Sequence, residues 1–185
     1  MEINKRILEF IDAGHSFALA TVLKADGSTP QKVGTKAIID AAGKIWGTIG
    51  GGQVEAQTQQ LAIQVCNSKH PVVFDMSFEG DCAKSESPIC GGTMRILIDP
   101  TIAKNIKPYA EAANALKQRR RGILLTKVCS TGQIEVTIEW LSQETIPPEV
   151  GFPGQEAILS CLACEKANLF SKNAQKSQTS LEVLV

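Results

Sequence analysis

The chain has 185 residues, 43% of them hydrophobic, enough to bury one ordinary core and too few for a multidomain enzyme. Its 19 Lys and Arg balance 19 Asp and Glu, so no net field attracts nucleic acid or an anionic membrane, and a histone-like or polybasic role is excluded. With 15 Gly and 8 Pro the composition is neither collagenous nor low in complexity, and no apolar run approaches the ~18 residues that a membrane span needs.

Residues 3–13 carry Ile3, Ile7, Leu8, Phe10 and Ile11 at helical spacing, with Gly14 as a stop. Residues 17–23 read as a strand, Asp26-Gly27 as a turn dipeptide, and 36–40 with 44–49 as two strands around Ala42-Gly43. A helix follows over 54–65, with Val54, Ala56, Leu61, Ala62 and Val65 on its inner face, and then a strand over 72–76. Between 77 and 92 no periodicity survives; long aperiodic loops on compact domains tend to carry function. Beyond it the pattern gives a strand over 94–98, a helix over 102–118 and a hairpin of 123–128 with 134–140. Pro147-Pro148 and the Gly/Pro cluster at 151–154 break the chain before a helix near 155–168, and 181–185 closes as a strand. These elements predict one mixed α+β domain, with a mixed or largely antiparallel sheet flanked by helices.

The N-terminus leads into an amphipathic segment with no signal-peptide core, which reads as a cytoplasmic chain. In that setting Cys66, Cys82, Cys90, Cys129, Cys161 and Cys164 are reduced thiols more readily than a disulfide framework. Cys161 and Cys164 have the spacing of half a zinc site, but four ligands are required; the reading is two packed core cysteines and no metal site. His15 and His70 have no partner visible in sequence and receive no catalytic role. The basic run at 117–121 reads as a solvated cluster complementing a helix C-terminus before it reads as a docking patch.

Three segments carry sharper signals. In Gly47-Thr48-Ile49-Gly50-Gly51-Gly52-Gln53-Val54-Glu55 a strand runs through three glycines into a helix. Such a turn converges backbone N–H groups at a positive helix end, where an anion can be held. The plain alternative is a tight turn with Glu55 complementing the helix dipole. It is neither a Walker loop, since no Gly-Lys-Ser/Thr follows, nor a dinucleotide fingerprint. Cys90-Gly91-Gly92 ends the aperiodic loop, and its glycines let a ligand or another backbone approach the thiol; a small buried hydrophobe is the ordinary alternative, and a Cys82/Cys90 thiol pair a lesser one. The stretch 27–36, with Ser28, Thr29, Pro30, Lys32 and Lys36, suits an oxyanion or an ordinary connection equally.

Taken together, GSTPQKVGTK at 27–36, IWGTIGGGQVE at 45–55 and ICGGTMRILIDP at 89–100 resemble, in order and spacing, the N-terminal domain of the XdhC/CoxI family, the xanthine dehydrogenase accessory factors. The remainder from 109 to 185 fits that domain in pattern only. The resemblance implies a chaperone that binds molybdenum cofactor (molybdopterin), supports its sulfuration with a cysteine desulfurase and helps load a xanthine dehydrogenase-like apoenzyme, without turnover of its own. It implies cofactor contacts from Gly50, Gly51, Gly52, Gln53, Glu55, Ser28, Thr29, Lys36, Cys90, Gly91 and Gly92, with Cys90 as the reactive thiol and Glu55 orienting the glycine loop or hydrogen-bonding the pterin. Gln31 and Val33 depart from the family pattern, which often has Arg and Pro there, and Gln53 stands where some relatives have Cys. The expected organisation is a single domain over 1–185 lacking the C-terminal Rossmann domain of full-length relatives, in a homo-oligomer or beside a separate Rossmann subunit. A thiol-dependent redox protein using Cys90 with Cys82, and a partner-binding structural domain, are the competing readings.

Overall fold

Ala18, Ala20 and Ala37 set small side chains among the larger aliphatics of the strands of the first half, which lets a helix lie close on the sheet. The computed structural model describes residues 3–78, 91–130, 133–142 and 177–184, in two compact units, Met1–Lys104 and Asn105–Val185. The first unit runs α1 (Ile3–Asp12), β1 (Phe17–Gly27), β2 (Lys36–Asp40), β3 (Ile45–Gly47), α2 (Gly52–Ser68), β4 (Val72–Ser77) and β5 (Gly92–Asp99). Its five strands pair antiparallel in the order β3-β2-β1-β5-β4. The architecture is mixed α+β with antiparallel sheets, as the sequence predicts.

β1 is central, and residues 17–23 are buried without interruption, which is why they read as a continuous apolar run. One face of the sheet presents Ala18, Ala20, Val22, Ala37, Ile39, Met94, Ile96 and Ile98 in one core with Val54, Ala62, Val65 and Cys66 of α2. Each large aliphatic in that core contributes about 1.5–3 kcal/mol through burial. Thr58 is also buried on α2, its hydroxyl donating to the Val54 carbonyl at 2.6 Å, whereas Ala56, assigned to the inner face from periodicity, is exposed. From α1, Ile7 and Phe10 are buried, and Phe10 meets Phe17 and Trp46 edge-on at 5.4 and 4.8 Å between ring centroids.

The Asp26-Gly27 turn expected from sequence is instead the end of a longer β1. A bulge between Val22 and Lys24 shifts the register, after which the strand pairs with β5 as far as Gly27 opposite Gly92. Val22 is also where the next loop is tied back: its N–H donates to the Thr35 carbonyl and its carbonyl accepts from Gly34, both at 2.9 Å. The bulge and this tether aim residues 28–35 off the end of the sheet. β5 closes on Asp99, 1% exposed, whose Oδ1 accepts from the Thr101 N–H and hydroxyl, each at 2.7 Å. Its Oδ2 is buried without a hydrogen-bond partner, and burial pushes the carboxyl above its usual range despite the Thr101 bonds.

The helix expected over 102–118 is two elements, a 3-10 turn at Ile102–Asn105 and α3 (Ile106–Lys117), with the boundary between the units falling between Lys104 and Asn105. The second unit adds β6 (Gly122–Ser130), β7 (Ile134–Ser142) and β8 (Ser177–Leu184) as a three-stranded antiparallel sheet in the order β7-β6-β8. Ile123, Leu124, Leu125 and Val128 of β6 are buried, as are Tyr109, Ala112, Ala113 and Ala115 of α3. The last strand starts four residues before the predicted 181, and the helix expected near 155–168 lies outside the described residues. No helix among the described residues is long and apolar enough to cross a membrane.

Candidate functional site

The three segments singled out in sequence meet at one end of the five-stranded sheet. Gly27 pairs with Gly92 as the last rung of the β1/β5 ladder, and the backbones approach so closely that a Cβ on Gly27 would lie 2.5 Å from the Gly91 carbonyl oxygen. A Cβ on Gly92 would run into the carbonyl oxygens of Ser28 and Asp26. Pro30, two residues on, packs against the glycine turn: a Cβ on Gly50 would fall 2.6 Å from Pro30 Cγ, and Gly50 has φ +129°. Glycine is thus required at Gly50 and Gly92 by approach of a neighbour, independently of any ligand.

Residues 28–36 form the middle of the site. Ser28 is exposed; the Thr29 hydroxyl is turned inward to the Gln31 carbonyl at 3.0 Å, and the Thr35 hydroxyl donates to Gln31 Oε1 at 3.4 Å. Lys32 is exposed on this loop. Lys36, expected to offer a cation to a ligand, is buried instead at 7% exposure in β2, where its Nζ donates to the Gly34 carbonyl at 3.1 Å. Its position opposite Thr21, on the central strand, encloses the stem and leaves the ammonium to brace the loop from within.

The glycine turn is organised by Glu55. One carboxylate oxygen, Oε1, accepts from the Thr48 hydroxyl in a short hydrogen bond and from the N–H groups of Ile49 at 3.2 Å and Gly51 at 3.1 Å. The N–H of Gly50 donates to the Thr48 hydroxyl oxygen at 3.1 Å. These bonds, Thr48 foremost, hold the Glu55 carboxyl below its usual range against the opposing effect of burial. The concavity predicted to receive an external anion therefore contains the chain's own carboxylate. Beyond it, Gly51 is the N-cap of α2 and offers no side-chain cap, and a Cβ on Gly51 or Gly52 would meet no atom within 4 Å. The N–H groups of Gly52 and Gln53 belong to the first turn, which an α-helix leaves without intrahelical partners; both residues are exposed.

Gly91 is exposed and Gly92 buried, while Cys90, Cys82, Cys161 and Cys164 lie outside the described residues. Cys66, by contrast, is a buried thiol of the α2 core, pushed up by burial. His15 is exposed with its ring 5.2 Å from Phe10, and His70 lies exposed beyond α2. On the outer face near the same sheet end, a depression of about 320 Å³ is lined by Lys24, Asp26, Asp75 and Arg95 among others. Its charges are matched internally: Lys24 pairs with Asp26, and Arg95 makes a two-pronged contact to Asp75, with Nη2 to Oδ2 at 2.6 Å. Sequence reasoning missed Thr48 and the packing of Pro30 on Gly50. Glu55 orients the glycine loop as expected, through bonds to the chain itself.

Residues 10–76 match the XdhC and CoxI family, a span that holds both the 27–36 loop and the glycine turn. Over 82 residues the chain is 33% identical to the uncharacterized protein YqeB of Escherichia coli (strain K12), a match covering 44% of this chain and 15% of that protein. The fold resembles that of a xanthine dehydrogenase from Bacillus halodurans, with a TM-score of 0.63 at 15% identity, covering 98% of this chain and 52% of that one. The chain thus spans about half the length of that structure and a smaller share of YqeB. Through residues 10–76, the segment that builds the loop and the glycine turn, this chain is similar to the XdhC and CoxI family.

Proposed function

We propose that this protein is a cytoplasmic accessory factor that binds molybdenum cofactor as cargo and assists its sulfuration and insertion into a xanthine dehydrogenase-like hydroxylase. The observation that carries the reading is the convergence of the three family-like segments on one end of the sheet, through Pro30 against Gly50 and Ser28 against Gly92. A pterin phosphate needs N–H donors and clear space. Gly52 and Gln53 offer the donors beside the open space at Gly51 and Gly52, with the exposed Lys32 supplying the positive potential that the buried Lys36 does not. Cys90 directly precedes Gly91 in the chain and is the thiol assigned to the molybdenum centre, where a thiolate suits sulfur-ligand chemistry. The partners of this reading are the apo-hydroxylase and a cysteine desulfurase, with a Rossmann-domain subunit and a second copy of the chain as further associates.

The test is an equilibrium titration of the purified protein with molybdenum cofactor released from a molybdenum hydroxylase, followed by pterin fluorescence. Saturable stoichiometric binding, weakened by Lys32→Glu, is the expected outcome. No binding, or binding indifferent to that charge reversal, would count against cofactor handling at this site.

A further inference from the structure

Three consecutive glycines with φ of +129°, +74° and +55° form a backbone with no side chain to hold it, in a conformation only glycine adopts readily. A ligand-binding turn of this kind loses much conformational entropy on ordering unless something fixes it beforehand. In this structure the fixing contacts converge on one hydroxyl and one carboxylate. Thr48 Oγ1 donates its single proton to Glu55 Oε1 and accepts the Gly50 N–H at 3.1 Å, so it ties the start of the turn to both its middle and its far end. Glu55 takes the N–H groups of Ile49 and Gly51 on either side of Gly50. The N–H groups of Ile49, Gly50 and Gly51 thus all end on the Thr48 and Glu55 side chains.

We infer that Thr48 is a positioning residue of the cofactor-binding turn: its hydroxyl locks Glu55 into the concavity and so sets the shape in which Gly52 and Gln53 meet the ligand. The inference rests on the cofactor reading given above. A carboxylate with three donors has its charge absorbed within the turn, and the first-turn N–H groups outside it are left to face an anion. Losing the Thr48 donor frees Glu55 to leave the concavity, and a mobile carboxylate beside the helix N-terminus then competes with and repels that anion. Thr48 lies exposed, so its replacement leaves the buried core of α2 and the sheet intact.

Thr48→Val removes the hydroxyl at constant shape, and Thr48→Ser retains it. In the ligand-free protein, Thr48→Val is expected to speed amide exchange at Gly50 and Gly51 about tenfold, as one lost hydrogen bond to a charged group allows, while Thr48→Ser leaves both near wild type. In titrations with released molybdenum cofactor, Thr48→Val is expected to bind about tenfold more weakly with Tm little changed, and Thr48→Ser to restore affinity. Unchanged Gly50 and Gly51 exchange in Thr48→Val overturns the clamp whatever the ligand does. Altered exchange with wild-type or tighter affinity overturns the positioning role. Failure of the wild-type protein itself to bind cofactor overturns the function reading, and leaves the clamp to be decided by the exchange data alone.

Discussion

Pro30 packs onto the backbone of Gly50 so tightly that a Cβ on Gly50 would stand 2.6 Å from the ring. The contact joins the 28–35 loop to the glycine turn and predicts a contrast between adjacent glycines. Gly51→Ala meets φ +74° with ψ 179° in open space, a conformation that glycine alone adopts readily, and is expected to cost about 1–3 kcal/mol from the backbone alone. Gly50→Ala meets both a positive φ and the proline and is expected to lower unfolding stability by about 1–3 kcal/mol more than Gly51→Ala does. Urea unfolding of the two variants measures the difference, and equal costs would show that the loop and the turn are not packed together.

Asp99 supplies a pH test. Its folded carboxyl titrates above the unfolded value of about 3.9, so the folded state holds the proton more tightly. That favours folding at low pH and is lost as pH rises through the folded value. Asp99→Asn keeps an oxygen for the two Thr101 donors and removes the buried charge. Its Tm is expected to exceed wild type at pH 7, with the gap closing as pH falls through the raised folded value and fully closed by about 4. A gap that widens in acid would contradict the assignment.

Cys66 is 3% exposed, and burial first, against the nearby Lys69 charge, makes its thiolate hard to form. Iodoacetamide is expected to leave Cys66 unmodified in the folded protein and to modify it in urea. Mass spectrometry of the peptide spanning Cys66 reads the outcome, and rapid native labelling at neutral pH would refute the burial.

For Cys90, the proposed function predicts that Cys90→Ser folds as wild type but loses cofactor binding or the ability to activate an apo-hydroxylase. A packed, non-functional cysteine would instead cost about 1–3 kcal/mol for a buried unsatisfied hydroxyl and leave affinity intact. Thermal unfolding and cofactor titration on the same variant separate the two results.

The order and type of the elements were legible because period and punctuation coincide with them. Ile7 and Phe10 mark the buried side of α1, and Gly43 and the three glycines sit where strands stop. Boundaries slipped where tertiary contacts overrode local signals. Asp26-Gly27 stays in a strand because β5 pairs with it through Gly92. Ala56 lies about 200° of helical turn from Val54, off the face that Val54, Thr58, Ala62 and Val65 share, and Thr58 can occupy that face because its hydroxyl is satisfied on Val54. At the site, the glycines announce a special backbone and Glu55, a few residues on, is near enough in sequence to orient it, but nothing in the sequence says that Lys36 is drawn inside. That follows from where β2 comes to rest, which no local spacing encodes.

The pairing of β1 with β5 has a kinetic meaning. Neighbours across the centre of this sheet are strands that lie far apart in sequence, Phe17–Gly27 and Gly92–Asp99, with β2, β3, α2 and β4 between them. A chain must close that long loop before the central ladder stabilises anything, which slows the search and exposes open strand edges meanwhile. Gly27 opposite Gly92 is the outermost rung of this ladder, so the Ser28 and Gly92 side of the site is assembled only when β1 and β5 have met, whereas the bonds that hold the glycine turn are local.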